Sequence, residues 1–292
     1  MPASPAATEP RWTWLFGPGV GADTHAAMAH SGAQVLILDW EDFTPPALRP
    51  AARDSVATVL AQWRAQGAAT CVRINALAQD GPEDLTAAMP QAPDIIAYPM
   101  AERAEDIAAL DEALSRWEQR LGLPAGQTEI LPVCETARGV LDVRDLAAAS
   151  VRVRAALLGT EDLAADLGAS RSIAGIELAH ARGHFLMACR AAGITPIDAP
   201  TTWADPELAR QETLAAMQLG YPCKSLVRVE HVAPVLACLQ PSAQEIERLR
   251  ARIYGFEAAR AQGQERALVD GLWVEVPSYR AALRRLAEAG FD

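Results

Sequence analysis

The sequence predicts an α/β fold, namely a single (β/α)8 TIM barrel followed by a C-terminal helical extension. Short apolar or β-branched runs alternate with longer, Ala-rich amphipathic segments, as in repeated βα units built around a parallel sheet. There are eight such runs, and no Pro-, Gly- or Ser-rich linker divides them. Eight strands joined by crossovers favour a closed barrel over a doubly wound sheet.

The predicted strands are short apolar or β-branched runs bounded by turn residues. In chain order they are WTWLF, QVLILD, TCVRIN, DIIAYP, EILPVCE, VRAALLG, TPIDA and SLVRV.

The segments between the strands carry helix start and stop signals. PALRPAARDSVATVLAQWRAQG and PELARQETLAAMQLG begin with proline and end on glycine, and AEDIAALDEALSRWEQRLG ends on glycine. Proline favours the first helical turn and glycine the position just past the last one. After the sixth strand the helix is predicted to be split, with EDLAADLG ending early and GIELAHARGHFLMACRAAG following.

An extension follows the eighth strand. It contains a long helical segment, SAQEIERLRARIYGFEAARAQG, an extended pair within RALVDGLWVEVP, and a last helix, SYRAALRRLAEAG. A bare barrel does not require it. We therefore expect residues 241–292 to form a lid or subunit contact that packs on a neighbouring subunit, with residues 11–240 as the catalytic barrel and residues 1–10 as a disordered tail.

Composition excludes several classes of function. The formal net charge is −11, with 26 Lys and Arg and no basic run, which argues against a nucleic-acid partner. No apolar run approaches the ~18 residues of a membrane span, and the first ten residues lack a signal-peptide core, so we expect a cytoplasmic protein without membrane contact. The five cysteines never show a C-x-x-C spacing, which predicts reduced thiols.

Polar side chains gather where the predicted strands end, and in a TIM barrel these ends form the catalytic rim. An acid just past a strand often only caps the next helix, and Asp42 and Glu161 fit that explanation. Capping does not explain why strands five and six both supply a carboxylate while strand three supplies an arginine. The rim residues are Asp39, Glu41, Asp42, Arg73, Asn75, Glu135, Thr136, Glu161, Asp162 and Asp198.

Carboxylates without histidine or thiolate partners suit a hard cation. Magnesium takes oxygen ligands and keeps only one or two carboxylates, which leaves positions for water and substrate. Such a metal could hold an α-keto or α-hydroxy acid and act as a Lewis acid on it. Arg73 would then stabilise an enolate or hold a substrate carboxylate.

The stretch GPGVGA supports a different hypothesis. It follows the first strand and precedes a helix, and Gly17, Gly19 and Ala22 have the spacing of a dinucleotide-binding turn, with Asp39 about 20 residues further on. Against a nicotinamide-binding protein, Pro18 removes one backbone N–H from the phosphate site. That hypothesis would also leave the other rim acids without a role.

At these motifs the chain resembles the citrate lyase β-subunit-like branch of the HpcH/HpaI aldolase family. The resemblance runs from Arg11 to about Pro277. It is carried by RWTWLFGPG, SGAQVLILDWEDFTPPALRPAAR, VRIN, LPVCETARGV, LGTEDLAADLG, AAGITPIDAP, LGYPCKSL and VDGLWVEVP. It implies a barrel lyase, usually a homotrimer or hexamer, that uses magnesium to cleave or form a C–C bond beside a carbonyl, often in acyl-CoA thioesters.

The resemblance also implies roles for individual residues. Glu135 and Asp162 would bind Mg2+, with Mn2+ as an alternative, and Arg73 would contact the substrate and its enolate. Asp39 would match the first acid of the family's acidic motif as a catalytic residue. Glu275, in the C-terminal extension, would protonate the enolate in a neighbouring subunit. The remaining substrate contacts would be Thr136, Glu41, Asp42 and Lys224.

The chain departs from the family pattern at its outer motifs. It has GVGAD where relatives carry an Arg-rich turn, LDWED with Trp40 in the acidic motif, and CKSLVRVEH without an Ile-His-Pro core. We expect a magnesium-dependent C–C lyase acting on a β-hydroxyacyl-CoA such as citramalyl-CoA or malyl-CoA. The alternatives are an aldolase that releases pyruvate from free keto-hydroxy acids, the nicotinamide-binding protein, and a binding or regulatory barrel without turnover.

Overall fold

A computed structural model describes residues 10–291 of the chain. Its contacts divide these residues into two compact units, one of residues 12–237 and one of residues 10–11 with 238–291. The predicted tail of residues 1–10 lies outside the described residues except for Pro10.

The first unit is a closed barrel of eight parallel strands in sequence order. The predicted (β/α)8 architecture is therefore confirmed. The strands are β1 (Thr13–Pro18), β2 (Val35–Asp39), β3 (Ala69–Arg73), β4 (Ile95–Tyr98), β5 (Glu129–Cys134), β6 (Ala155–Leu158), β7 (Thr195–Asp198) and β8 (Cys223–Leu226).

The eighth strand begins two residues before the predicted start and ends three residues before the predicted end. It includes Lys224, a charged residue that strand patterns disfavour. The Lys224 Nζ atom lies 2.8 Å from Oδ2 of Asp198 on the neighbouring strand β7. That partner comes from another part of the sequence, so the local pattern could not reveal it.

Helices connect the strands on the outside of the barrel, and the predicted split after β6 is confirmed by the separate helices α7 and α8. The helices are α1 (Ala22–Ala29), α2 (Arg49–Ala65), α3 (Gly81–Ala88), α4 (Ala104–Leu121), α5 (Ala137–Leu141), α6 (Val143–Ala148), α7 (Glu161–Asp166), α8 (Ala179–Ala192), α9 (Pro206–Leu219) and α10 (Val232–Leu239).

The inside of the barrel is filled by every second residue of its strands, because successive side chains of a strand point to opposite faces. These inward residues form one apolar cluster that includes Phe16, Val35, Ile37, Val133 and Leu157. The cluster closes the interior and leaves the strand ends as the place where polar groups can meet solvent.

The second unit contains α11 (Ala243–Ala261), β9 (Ala267–Val269), β10 (Leu272–Val274) and α12 (Val276–Glu288). β9 and β10 pair antiparallel across a turn in which Asp270 and Gly271 both have positive φ, as a tight hairpin requires. The helices pack through Leu249, Ile253 and Leu286. In neither unit is any described helix both long and apolar enough to cross a membrane.

Candidate active site

Two neighbouring strands bring Asp39 and Arg73 together at the carboxyl end of the barrel. β2 ends at Asp39 and β3 at Arg73, and these residues are partners in the parallel register. Nε of Arg73 donates to Oδ1 of Asp39 at 2.9 Å and Nη2 donates to Oδ2 at 2.5 Å. Both side chains are buried. This two-point pairing fixes the direction of the guanidinium group.

More carboxylates surround Arg73 than its charge can balance. Nη1 lies 2.8 Å from Glu41 and 3.9 Å from Glu135, and Nη2 lies 3.4 Å from Asp42. Burial alone would lower the pKa of Arg73, but Asp39, Glu41 and Glu135 raise it above its usual value. The arginine is therefore a permanent cation at the centre of an acidic cluster.

The surplus of acid is visible in the pKa values of the cluster. Burial raises the pKa of Glu135 to about 7, although Arg73 lowers it, and Asp162 and Asp42 raise it further. Burial likewise raises the pKa of Glu41 to about 8, against the effect of Arg73. Both values are raised because the cost of burying these carboxylates exceeds the attraction of the one cation, Arg73, that they share.

Glu135 enters the cluster from the end of β5. Its Oε1 accepts a hydrogen bond of 2.8 Å from the backbone N–H of Met100, a residue held at φ +45°. Gly159 provides the space, since a Cβ there would lie 2.4 Å from Cβ of Glu135. The other oxygen, Oε2, faces Arg73 at 3.9 Å, which is beyond hydrogen-bond distance.

Glu135 and Asp162 line the same cleft, which has a volume of about 170 Å3. Asp162 belongs to the first turn of α7, and its charge raises the pKa of Glu135. Two groups of side chains line the cleft. The charged ones are Asp42, Arg73, Glu135, Glu161 and Asp162, and the others are Phe16, Phe43, Val133, Leu157, Gly159, Thr160, Pro200, Thr202 and Val227.

The donor set of this cleft fits a magnesium ion. Glu135 is buried with one oxygen poorly partnered, and burial followed by the charge of Asp42 raises the pKa of Asp162. A cation between the two carboxylates would relieve both effects. Within residues 10–291 no three His, Cys, Asp or Glu side chains are grouped closely enough to hold a metal. Magnesium needs only one or two carboxylates, since water and substrate oxygens complete its shell.

Three of the predicted site residues have other contacts in the structure. The Thr136 hydroxyl accepts from the N–H of Gly139 and caps α5. Lys224 is 1% exposed and donates to Asp198 and to the Ala199 carbonyl. Glu275 is an exposed residue of the second unit, at the start of α12. None of the three lines the cleft, and their roles towards substrate stay predictions.

Capping is the wrong explanation for Asp42 and Glu161. Asp42 pairs with Arg73, and no helix starts beside it. Glu161 Oε1 accepts from the Thr202 hydroxyl at 2.8 Å and from Nε of Arg171 at 3.2 Å. Both acids therefore belong to the cleft.

The geometry does not support nicotinamide binding at GPGVGA. The N–H of Gly19, which would have to face a phosphate, donates to the Thr44 hydroxyl at 2.7 Å. A Cβ at Gly19 would lie 2.7 Å from atoms of Ala52, Thr44 and Trp40, so the loop is closely packed. Asp39, the expected ribose ligand, is bound to Arg73.

Sequence reasoning missed the apolar part of the cleft and the role of Met100. Phe16 comes from β1, and Val133 and Leu157 are register partners on the adjacent strands β5 and β6. Their shared inward direction is the only signal in the sequence. Met100 acts through its backbone N–H, which no residue type reveals.

Comparison with known proteins identifies the family. The sequence profile described as HpcH/HpaI aldolase/citrate lyase matches residues 13–229. The chain belongs to this family. Its relatives include the citrate lyase subunit beta of Escherichia coli (strain K12), which is 30% identical over 272 residues, covering 92% of this chain and 90% of that protein. The L-malyl-CoA/beta-methylmalyl-CoA lyase of Rhodobacter capsulatus is 28% identical over 298 residues, covering 92% and 91%.

Solved structures of the HpcH/HpaI family share the fold. CitE from Mycobacterium tuberculosis, in complex with magnesium, acetoacetate and coenzyme A, superposes with a TM-score of 0.74 at 27% identity and covers 96% of this chain and 98% of its own. A citrate lyase beta subunit from M. tuberculosis with oxaloacetate and magnesium gives a TM-score of 0.66 at 29% identity, covering 80% and 98%. The chain is thus a member of a lyase family.

Proposed function

We propose that this protein is a magnesium-dependent carbon–carbon lyase that cleaves, or in reverse forms, a β-hydroxyacyl-CoA such as citramalyl-CoA or malyl-CoA. One observation carries the proposal. Glu135, buried and short of positive partners, lines the same cleft as Asp162 and lies beside a guanidinium that Asp39 holds in place. The similarity to a malyl-CoA lyase and to a structure with magnesium and coenzyme A supports this choice.

Glu135 and Asp162 would hold the metal, which supplies a Lewis acid for an oxygen atom that gains charge. Four carboxylates line the cleft. Asp42 and Glu161 accept from an arginine nitrogen within 3.5 Å, whereas Glu135 and Asp162 do not. Glu135 and Asp162 follow the adjacent strands β5 and β6. Mg2+ is the proposed ion. Mn2+ would substitute, because carboxylate and water oxygens suit both.

Arg73 would stabilise the negative charge that develops on the enolate oxygen of the acyl thioester. Its guanidinium lines the cleft and stays charged. Asp39 binds it at two points, so little reorganisation is needed when the charge appears. Its terminal nitrogens also lie 2.8 Å from Glu41 and 3.4 Å from Asp42, which form ion pairs with it.

The proposed cleavage balances as a retro-Claisen-type step. The substrate hydroxyl gives up its proton to solvent water, the adjacent C–C bond breaks, and its electron pair passes to the acyl thioester as an enolate. The hydroxyl carbon becomes the carbonyl of a keto acid, and the enolate then takes a proton. We propose Glu275 of a neighbouring copy in a trimer or hexamer as that proton donor, since its side chain is exposed.

The function is tested by incubating the protein with citramalyl-CoA, malyl-CoA and the corresponding free acids, with magnesium, and measuring keto-acid release with a carbonyl reagent. We expect release from a thioester only, its loss on adding a chelator, and recovery with excess Mg2+ or Mn2+. Release from the free acids alone would establish the pyruvate-releasing aldolase instead. Release that a chelator leaves unchanged would overturn the metal-dependent mechanism.

A further inference from the structure

A second pocket of the barrel unit lies next to the cleft, between helix α9 and the segment that joins α7 to α8. It is lined by residues of that segment, of α8 and α9, and of the chain just after β6 and β7. Its volume is about 200 Å3, and that of the cleft is about 170 Å3. The two cavities share Thr160 and Pro200 as a common wall. None of the residues to which we assign metal or substrate binding lines the second pocket, so it is a separate place for a small molecule.

Three charged side chains line the second pocket, namely Arg171, Arg182 and Glu212. Their exposed fractions are only 14%, 15% and 22%. Because so little of these side chains meets bulk water, any polar atom on them without a protein partner is available chiefly to a molecule inside the pocket.

Both arginines are held from behind and keep one terminal nitrogen free. Nε and Nη2 of Arg182 donate to the two oxygens of Asp198 at 3.0 and 2.9 Å. Nε of Arg171 donates to Glu161 at 3.2 Å and its Nη1 donates to Glu177 at 2.5 Å. Within residues 10–291, neither Nη1 of Arg182 nor Nη2 of Arg171 makes a hydrogen bond. The pocket therefore offers N–H donors from two fixed guanidinium groups, which suit a carboxylate.

Glu212 supplies the opposite charge. Its Oε2 accepts from the Thr201 hydroxyl at 2.5 Å and lies 3.7 Å from Nζ of Lys224, which is beyond hydrogen-bond distance. Its Oε1 accepts no hydrogen bond in the described part of the chain. This oxygen is an acceptor for a cationic group of a ligand.

The rest of the wall is mainly apolar. It includes Ile173, Leu178, Ala199, Pro200 and Ala215. The side chain of Ile173 is 59% exposed, so an apolar group bound in the pocket would cover surface that water now contacts, which favours binding.

We propose that the second pocket binds a free α-amino acid with an apolar side chain of about the size of leucine. The carboxylate binds the free nitrogens of Arg171 and Arg182, and the ammonium group binds Oε1 of Glu212. Each arginine already has a carboxylate partner, so an anion without a cationic group would add charge that Glu212 repels. A zwitterion adds no net charge. The proposal concerns a cavity separate from the cleft and does not depend on the lyase reaction.

Three ligands that share one apolar chain test the proposal by calorimetric titration of the full chain at pH 7. They are L-leucine, 4-methylpentanoate, which lacks the ammonium group, and 3-methylbutylamine, which lacks the carboxylate. We expect leucine to bind and each of the other two to bind at least ~10-fold more weakly, because each loses a charged hydrogen bond. No binding of leucine, or binding of 4-methylpentanoate as tightly as leucine, would overturn the proposal.

A pocket-filling variant tests the location. Ala215 is an exposed residue of α9 that lines the second pocket, so the larger side chain of Ala215→Phe should weaken leucine binding at least ~10-fold. Ala57→Phe, at an exposed position of α2 away from the pocket, is the matched control and should bind within about twofold of wild type. Glu135→Gln should also bind leucine normally. Equal affinities in the two phenylalanine variants, or loss of binding in Glu135→Gln, would show that leucine binds elsewhere.

Removal of one charge tests the recognition itself. Glu212→Gln keeps the shape of the side chain but removes the charge that the ammonium group requires. We expect leucine to bind at least ~10-fold more weakly to this variant, and 4-methylpentanoate to bind as tightly as to wild type or more tightly. An equal loss for both ligands would contradict a contact between Glu212 and the ammonium group.

Discussion

The two ends of the barrel each bury an arginine among carboxylates. Only at the amino end do these carboxylates have enough hydrogen-bond donors. At the amino end, Arg152 donates to both oxygens of Glu118 at 2.7 Å and to Asp111 at 2.6 Å. Glu118 also accepts from the N–H groups of Gly126 and Thr128. Burial alone would raise the pKa of Glu118, but Arg152 and these N–H groups lower it.

At the carboxyl end the balance is reversed. Arg73 meets Asp39, Glu41, Asp42 and Glu135, and the pKa values of Glu41 and Glu135 are raised to about 8 and about 7. Arginine and carboxylates thus stabilise the fold at the amino end, where the carboxylate oxygens have donors. At the carboxyl end donors are too few, and the same residue types favour binding of a cation. The following changes test that contrast, from the largest expected effect to the smallest.

Glu135→Gln should abolish turnover while preserving the fold. The amide keeps the shape but loses the charge that a cation requires, so we expect kcat for keto-acid release to fall by at least ~10^3-fold. The free energy of unfolding should be unchanged or higher, because a carboxyl group with a raised pKa is removed. Asp54→Asn, an exposed acid on α2, is the charge-matched control. A variant retaining more than a tenth of the activity would contradict the assignment.

Arg152→Leu should have the opposite effect. It leaves the buried carboxylate of Glu118 without its cation, and we expect the free energy of unfolding in urea to fall by about 3–5 kcal/mol. Turnover per folded molecule should be unchanged. Arg154→Leu is the control, because that side chain is 58% exposed and pairs with Glu129 at 3.6 Å. Its loss should cost less than about 1 kcal/mol, and an equal cost for both would refute the contrast.

Gly159→Ala should displace Glu135 without removing it. The new Cβ would lie 2.4 Å from Cβ and 3.0 Å from Oε2 of Glu135, so we expect kcat to fall ~10–100-fold and the free energy of unfolding to fall by about 1–3 kcal/mol. Gly183→Ala on α8, where no atom lies within 4 Å of the new Cβ, should leave kcat unchanged. Wild-type kcat in Gly159→Ala would show that the position of Glu135 is not critical.

The lowered pKa of Glu118 predicts a pH-dependent contribution to stability. In the pH range between its lowered folded pKa and the unfolded value of ~4.3, the unfolded chain binds more protons, so stability rises with pH. The contribution is full above the unfolded pKa and is lost as pH falls through the folded pKa. Urea unfolding should show wild type more stable than Glu118→Gln by about 1.5–3 kcal/mol at pH 7, with the difference shrinking below pH ~4. A constant difference would contradict the pairing.

The barrel could be predicted because its evidence is local. Short apolar runs, prolines at helix starts and glycines at helix ends recur through the sequence, and strand ends then define the rim without further information. The rim position of Arg73, Glu135 and Asp162 follows from this. The predicted boundaries of the eighth strand were wrong because Lys224, which the strand contains, is neutralised by Asp198, a partner remote in sequence.

Pairing at the rim could not be predicted in the same way. Thr136 and Glu135 are adjacent in sequence, yet one caps α5 and the other enters the cleft. Which of them turns inward depends on strand alternation and on the space beside Gly159. The apolar part of the cleft is formed by side chains from several strands that lie in the same layer of the barrel interior. That layer is a property of the closed barrel.

The central claim is that Glu135 and Asp162 hold one divalent cation. Titration of the protein with Mn2+, followed by electron paramagnetic resonance of the free ion, tests it directly, with Asp54→Asn as control. We expect one site in the wild type, with an affinity at least ~10-fold lower in Glu135→Gln and in Asp162→Asn. The double variant should lose about as much affinity as the weaker-binding single variant. Wild-type affinity in either single variant, or fully additive losses, would show that the two carboxylates do not share a cation.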